Sequence, residues 1–162
     1  MRSWSAALAA GLVAATNAGC SSGPEEVATS GSATCASRAA ATSEARNVSF
    51  ARDVLPVFQS SCSFSSCHGT PGQNGIYLGA ARGAAASAIR AALLETSPRA
   101  SMPFVAPGEP DRSWLLRKLD GDFCGVTCNG GCGDRMPKGG VPVERPELDA
   151  IAAWIANGAP DN

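Results

Sequence analysis

A chain of 162 residues, 44% of them apolar and 17% charged, is enough for one compact domain and leaves little for a second. Its 13 Lys and Arg against 14 Asp and Glu give a formal charge of −1. Removing residues 1–19 takes away only Arg2, so the balance becomes 12 − 14 = −2. Nothing in that balance supplies the basic footprint of a nucleic-acid binder or of a protein held to an anionic membrane by charge.

The amino terminus carries Arg2, then an apolar run from Trp4 to Ala15 broken only by Ser5, then Ala18-Gly19-Cys20. Residues 1–19 read as a signal peptide, too short to span a bilayer comfortably. The small-small-Cys ending resembles a bacterial lipobox, with Asn17 where that pattern has an aliphatic residue. Two outcomes follow: Cys20 becomes the lipidated first residue of an envelope protein, periplasmic or associated with the outer membrane, or cleavage is ordinary and Cys20 is free or disulfide-bonded. Acyl chains at about 0.8 kcal/mol per buried CH₂ would make a firm lipid anchor to the membrane. Export in turn bears on the other cysteines, because outside the cytoplasm thiols tend to be oxidised or covalently occupied.

Residues 20–48 are rich in Ser, Ala, Thr and Gly and lack the apolar surface to offset ordering entropy, so they read as a flexible linker that leaves Cys35 unexplained. The domain is expected over residues 49–160. Phe50, Val54, Leu55, Val57 and Phe58 recur as on one broad helix face and lead into Cys62. A Gly- and Pro-containing loop at residues 69–75 precedes an Ala-rich helical stretch from Ala80 to Leu94. Prolines mark residues 96–110 as loop. Ser113 is placed to cap a short helix through Trp114, Leu115, Leu116 and Leu119. Glycines and three cysteines make regular structure improbable over residues 121–141. From Pro146 to Gly158, Leu148, Ile151, Ala152 and Ile155 fall at i, i+3, i+4 and i+7, the best-defined helix of the chain. The expected fold class is mainly α, a single domain with Gly/Pro-rich loops.

The chemistry-bearing segment is Cys62-Ser63-Phe64-Ser65-Ser66-Cys67-His68. Two thiols followed at once by an imidazole can hold haem c: the sulfurs form thioethers to the vinyl groups and the histidine becomes the proximal iron ligand. The usual spacing has two residues between the cysteines; here there are four, and the extra pair must bulge outward. A local Cys62–Cys67 disulfide with a surface His68 is the plain alternative. Zinc is a poor third, since His68 is the only histidine and zinc needs three or four protein ligands.

A sixth iron ligand requires a soft thioether on a shaped loop, and Met136 in Arg135-Met136-Pro137-Lys138-Gly139-Gly140 has that setting. Met102, also followed by proline, is the rival distal ligand; core gap-filling is the plain role for either methionine.

Taken in order, five segments resemble the small exported bacterial c-type cytochrome domains found in planctomycetes and myxobacteria. They are Phe50 to Phe58; Cys62 with Cys67-His68-Gly69; Pro107-Gly108-Glu109-Pro110 through Leu115; Met136-Pro137-Lys138-Gly139-Gly140; and Trp154-Ile155-Ala156-Asn157-Gly158-Ala159. The resemblance covers roughly residues 49–160 and implies a cytochrome c-like fold with the first and last helices packed beside the haem. It implies Cys62 and Cys67 as thioether attachments, His68 as proximal ligand and Met136 as distal ligand. The four-residue spacing, and Glu144-Arg145 where Ser or Thr often opens the last helix, are its departures.

Cys35, Cys124, Cys128 and Cys132 make an even set, suited to two structural disulfides whose pairing the sequence leaves open. The function expected is one-electron transfer by a single His/Met-ligated haem c, not catalysis, with redox proteins as transient partners and no small-molecule substrate. The competing class is a haem-free, disulfide-stabilised lipoprotein module of similar fold, used for binding or scaffolding.

Overall fold

The structure, a computed structural model, describes Cys35 and residues 47–162, which fall within one compact unit, Cys35–Asn162. The leader, Cys20 and the remaining linker positions up to residue 46 lie outside the described residues.

The apolar run that opens the domain begins as a single π-helical turn, Phe50–Val54, and continues as helix α1, Leu55–Ser61. Pro56 lies in the first turn of α1. It has no N–H, and its ring would collide with the carbonyl four residues back, so the wider turn ahead of it makes room. Ser49 opens this segment: its hydroxyl accepts from the Arg52 amide, while its own amide donates to the Asp53 carboxylate at 2.7 Å.

The Ala-rich stretch is not one helix. A 3₁₀ turn, Ala80–Arg82, ends at Gly83, whose φ of +81° is left-handed, and helix α2, Ala86–Leu93, starts afresh. A glycine that can take that φ costs little there, and it outweighs the helical preference of its alanine neighbours. Helix α3, Trp114–Asp120, forms where expected, but Ser113 does not cap it with its side chain. The hydroxyl instead donates to the Glu109 carbonyl (3.0 Å) and accepts from the Ala106 amide (2.9 Å), which ties down the preceding turn.

Helix α4, Arg145–Ala156, starts on a capping box in which the Glu147 carboxylate accepts from the Glu144 amide at 3.2 Å. Glutamates thus take over the role a Ser or Thr would play. The described residues contain no strand, only the isolated bridges Thr96–Pro103 and Ala100–Cys128. The domain is mainly helical.

The two ends of the domain meet in the core. Phe50 stacks on Trp154 with centroids 4.9 Å apart, and Phe58 meets Phe50 edge-on at 6.4 Å. All three side chains are fully buried, and each such aromatic pair adds about 0.5–1.5 kcal/mol beyond the area it buries. Trp154 satisfies its indole N–H on the Pro160 carbonyl at 2.9 Å. Asn162 closes the seam: its carbonyl accepts from the Ala51 amide (2.9 Å) and its side-chain oxygen from the Phe50 amide (2.8 Å). The first and last helical segments are therefore packed together, and the Cys62–His68 loop leaves the core end of α1.

Two disulfides form, Cys35–Cys124 and Cys128–Cys132. They accord with an oxidising, exported environment. Among the described residues no helix is long and apolar enough to cross a membrane.

Candidate functional site

Helix α1 ends in Ser60, Ser61 and Cys62, where hydroxyls compete for backbone partners; the Ser60 hydroxyl donates to the Val57 carbonyl at 3.2 Å. The chain then folds back on itself. The Phe64 carbonyl accepts from both the Cys67 amide (2.9 Å) and the Gly69 amide (2.9 Å), and the His68 amide returns to the Cys62 carbonyl at 3.1 Å. The four residues between the cysteines thus form a closed, self-bonded turn with its middle at the surface: Phe64, Ser65 and Ser66 are exposed, while Cys62, Cys67 and His68 are half-buried.

Ser63 anchors this turn from beneath. It is buried, and its hydroxyl, with one proton to give, sits between the carbonyls of Phe58 and Leu78. Gly69 is packed so closely that a Cβ there would overlap the Ser63 carbonyl oxygen and stand 2.9 Å from the Phe64 carbonyl carbon. The returning segment is laced to the loop by the Leu78 amide on the His68 carbonyl (2.7 Å) and the Asn74 side-chain amide on the Cys67 carbonyl (2.7 Å).

His68 Nδ1 lies 3.1 Å from the Ile76 carbonyl oxygen. A carbonyl only accepts, so Nδ1 carries the proton and the neutral ring has its lone pair on Nε2. Burial pushes the His68 pKa below its ordinary value, the Ile76 contact opposes that, and the positive charge of Lys118 lowers it further. The net direction fits an imidazole held neutral, the form that binds a metal.

Cys62 and Cys67 are both free thiols, whereas the other four described cysteines are paired. The local disulfide between them, the plain reading of this loop, is not formed. Burial pushes the Cys62 thiol up to about 12, with smaller contributions from Cys67 and from Glu147 on α4.

Met136 sits between α3 and α4, its amide donating to the Lys118 carbonyl at 2.7 Å. Its half-buried side chain packs on the same hydrophobic core as Cys62. Met102 lies on the bridged loop of residues 96–103, with its amide on the Ala100 carbonyl (2.7 Å), and is not among the side chains packed on that core. The structure thus brings Cys62, Cys67 and His68 together on one loop and separates the two methionines by environment.

An open depression of about 710 Å³ overlies the loop, lined by Ser63, Phe64, Ser65, Ser66, Cys67, Ala81 and Arg82. Neither His68 nor Met136 lines it. Among the described residues no group of three or more His, Cys, Asp or Glu could hold a bare metal ion. The donor set, two unpaired thiols, an imidazole with Nε2 available and a thioether, fits a covalently attached haem, which asks for one protein nitrogen and no carboxylate.

The supports of this site were the part hidden in the sequence. Ser63, the Ile76 carbonyl and the Lys118 contacts have no motif of their own, although a glycine directly after the Cys-His pair is a signal of close backbone approach. Comparison of the chain with protein-family models, with curated proteins and with solved structures returned no match.

Proposed function

We propose that the protein is an exported electron carrier with one haem c, attached through Cys62 and Cys67 and ligated by His68 Nε2 and Met136. The observation that carries this reading is the state of the loop: two unpaired thiols beside a histidine whose other nitrogen is committed to the Ile76 carbonyl at 3.1 Å. When bound, haem c supplies a one-electron couple, and His/Met ligation raises its potential relative to other axial sets.

The chain's own residues hold and shield. The Ile76 carbonyl fixes the tautomer and orientation of His68. Ser63 and Gly69 fix the loop that presents the two sulfurs. The loop after α3 presents Met136, with Met102 as the alternative. With His68 and Met136 both holding the iron, no position would be left for a substrate, so the reading is a carrier and not an enzyme. Redox proteins would be its transient partners, and lipidation at Cys20 its anchor in the cell envelope.

The test is direct. Protein produced in a host with c-type maturation, then heat-denatured, should retain haem stain and a pyridine haemochrome signal at a mass of one haem per chain. The second reading, a haem-free lipoprotein module for binding or scaffolding, draws on the Cys62 thiol, which burial turns toward the core. Loss of all haem on denaturation, with Cys62 and Cys67 recovered as free or mutually linked thiols, would overturn the haem reading and leave the haem-free module.

A further inference from the structure

We propose that Lys118 is the positioning residue of the Met136 loop; the inference rests on the His/Met haem reading. Lys118 lies in the last turn of α3 and holds the loop at both of its ends. Its ammonium donates to the Cys132 carbonyl at 3.0 Å and to the Asp134 carbonyl, while its own main-chain carbonyl takes the Met136 amide at 2.7 Å. One side chain therefore holds residues 132–134 and one carbonyl holds residue 136, so a single helical residue braces the backbone that presents the Met136 thioether.

The side chain is itself held rigidly. Its ammonium stands over the rings of Trp114 (5.5 Å) and Phe123 (5.1 Å), and Trp114 is almost fully buried. A half-buried cation placed over two ring faces and donating to two carbonyls is held by several fixed partners at once. The Cys128–Cys132 disulfide closes the loop just upstream, and the Asn129 amide on the Arg99 carbonyl (2.7 Å) ties its far side to the 96–103 loop. Between Cys132 and Met136 the backbone has no disulfide and no regular structure; Lys118 bridges that gap from α3, and the exposed Asp134–Lys138 ion pair at 2.9 Å spans it locally.

A purely structural lysine and a positioning lysine differ in what they move. Lys118→Met keeps the apolar stem against the rings but removes the donors; Lys118→Gln keeps a donor without the charge. Covalent haem content should match wild type in both, because attachment involves Cys62, Cys67 and His68 only. In Lys118→Met the weak red-end absorption band of oxidised His/Met haem should be lost and the midpoint potential should shift downward. Lys118→Gln should restore part of the band and part of the shift.

A lowered melting temperature in Lys118→Met with the band and potential of wild type overturns the inference while leaving the haem reading intact. Wild-type protein with no covalent haem overturns both.

Discussion

The His68 ring is oriented by a residue eight positions further on: Nδ1 donates to the Ile76 carbonyl at 3.1 Å, across a loop that the Leu78 amide pins to the His68 carbonyl at 2.7 Å. The imidazole's hydrogen bond is thus to backbone, and changes at position 76 that keep an apolar side chain packed on the core should leave it in place. The residues whose replacement should matter are those that shape the backbone or supply donors.

On the proposed His/Met haem reading, Met136→Ala should abolish the weak red-end band of the oxidised protein and lower the potential, while Met102→Ala should leave both as in wild type. The basis is environment, since Met136 packs on the core shared with Cys62 and Met102 does not. An absorption spectrum and a redox titration of each variant decide it, and the opposite pattern would make Met102 the ligand.

Gly69→Ala should destabilise the domain by roughly 1–3 kcal/mol, the usual cost of forcing extra volume into a packed site. The added methyl would overlap the Ser63 carbonyl oxygen, a backbone atom that cannot swing aside. At Gly79 the clash would be with the movable Tyr77 ring, so Gly79→Ala should cost less. Urea midpoints of the two variants compare them; equal losses would show that the 63–69 turn yields freely.

Thiol reactivity should separate the folded from the unfolded chain. With a pKa of about 12, Cys62 in the folded haem-free protein at about pH 8 is thiolate to only ~1 part in 10⁴, against ~1 in 10 for the ordinary value of 9.0. Folding favours the protonated thiol, so this contribution to stability is present below about pH 9 and declines as pH rises above it. Alkylation of Cys62 should be on the order of 10³-fold slower in the folded protein than in urea, followed by mass spectrometry. Equal rates would mean that the sulfur is open to solvent.

The two disulfides should contribute unequally. Cys35–Cys124 joins positions 89 apart and Cys128–Cys132 positions 4 apart. Loop-closure entropy then assigns about 4–5 kcal/mol to the first and about 2 kcal/mol to the second. Cys35→Ser with Cys124→Ser should lower the urea midpoint more than Cys128→Ser with Cys132→Ser, and the reverse order would count against this account.

The helices around the site were legible because their patterns are local. Leu148, Ile151 and Ile155 mark one face of α4, and the residues from Phe50 to Phe58 mark the approach to Cys62. The break at Gly83 was not foreseen, since one left-handed glycine overrode an alanine-rich context. Ser113 was legible as a helix opener but not as the brace of the Ala106–Glu109 turn. Cys62, Cys67, His68 and Met136 are visible as residue types with suggestive spacing. Their supports are not, because a carbonyl such as that of Ile76 looks the same at every position, and Lys118 meets Cys132 and Asp134 only once α3 has packed. Disulfide pairing was undetermined for the same reason: four cysteines allow three pairings, and packing chooses one.

The Cys35–Cys124 bond also works as a strain relief on a cable. A pull arriving along the chain from residues before Cys35 meets a covalent branch into the 121–135 loop at Cys124 ahead of the turn at Ser49, where the Phe50–Trp154 stack begins. If Cys20 is the point of attachment, the 35 − 20 = 15 residue steps between it and the domain can reach at most about 50 Å when fully drawn out, at ~3.3–3.6 Å per residue. The core seam at Phe50 then lies beyond that crosslink from the anchor, so whatever motion the anchor undergoes meets a covalent branch to Cys124 before it reaches the seam.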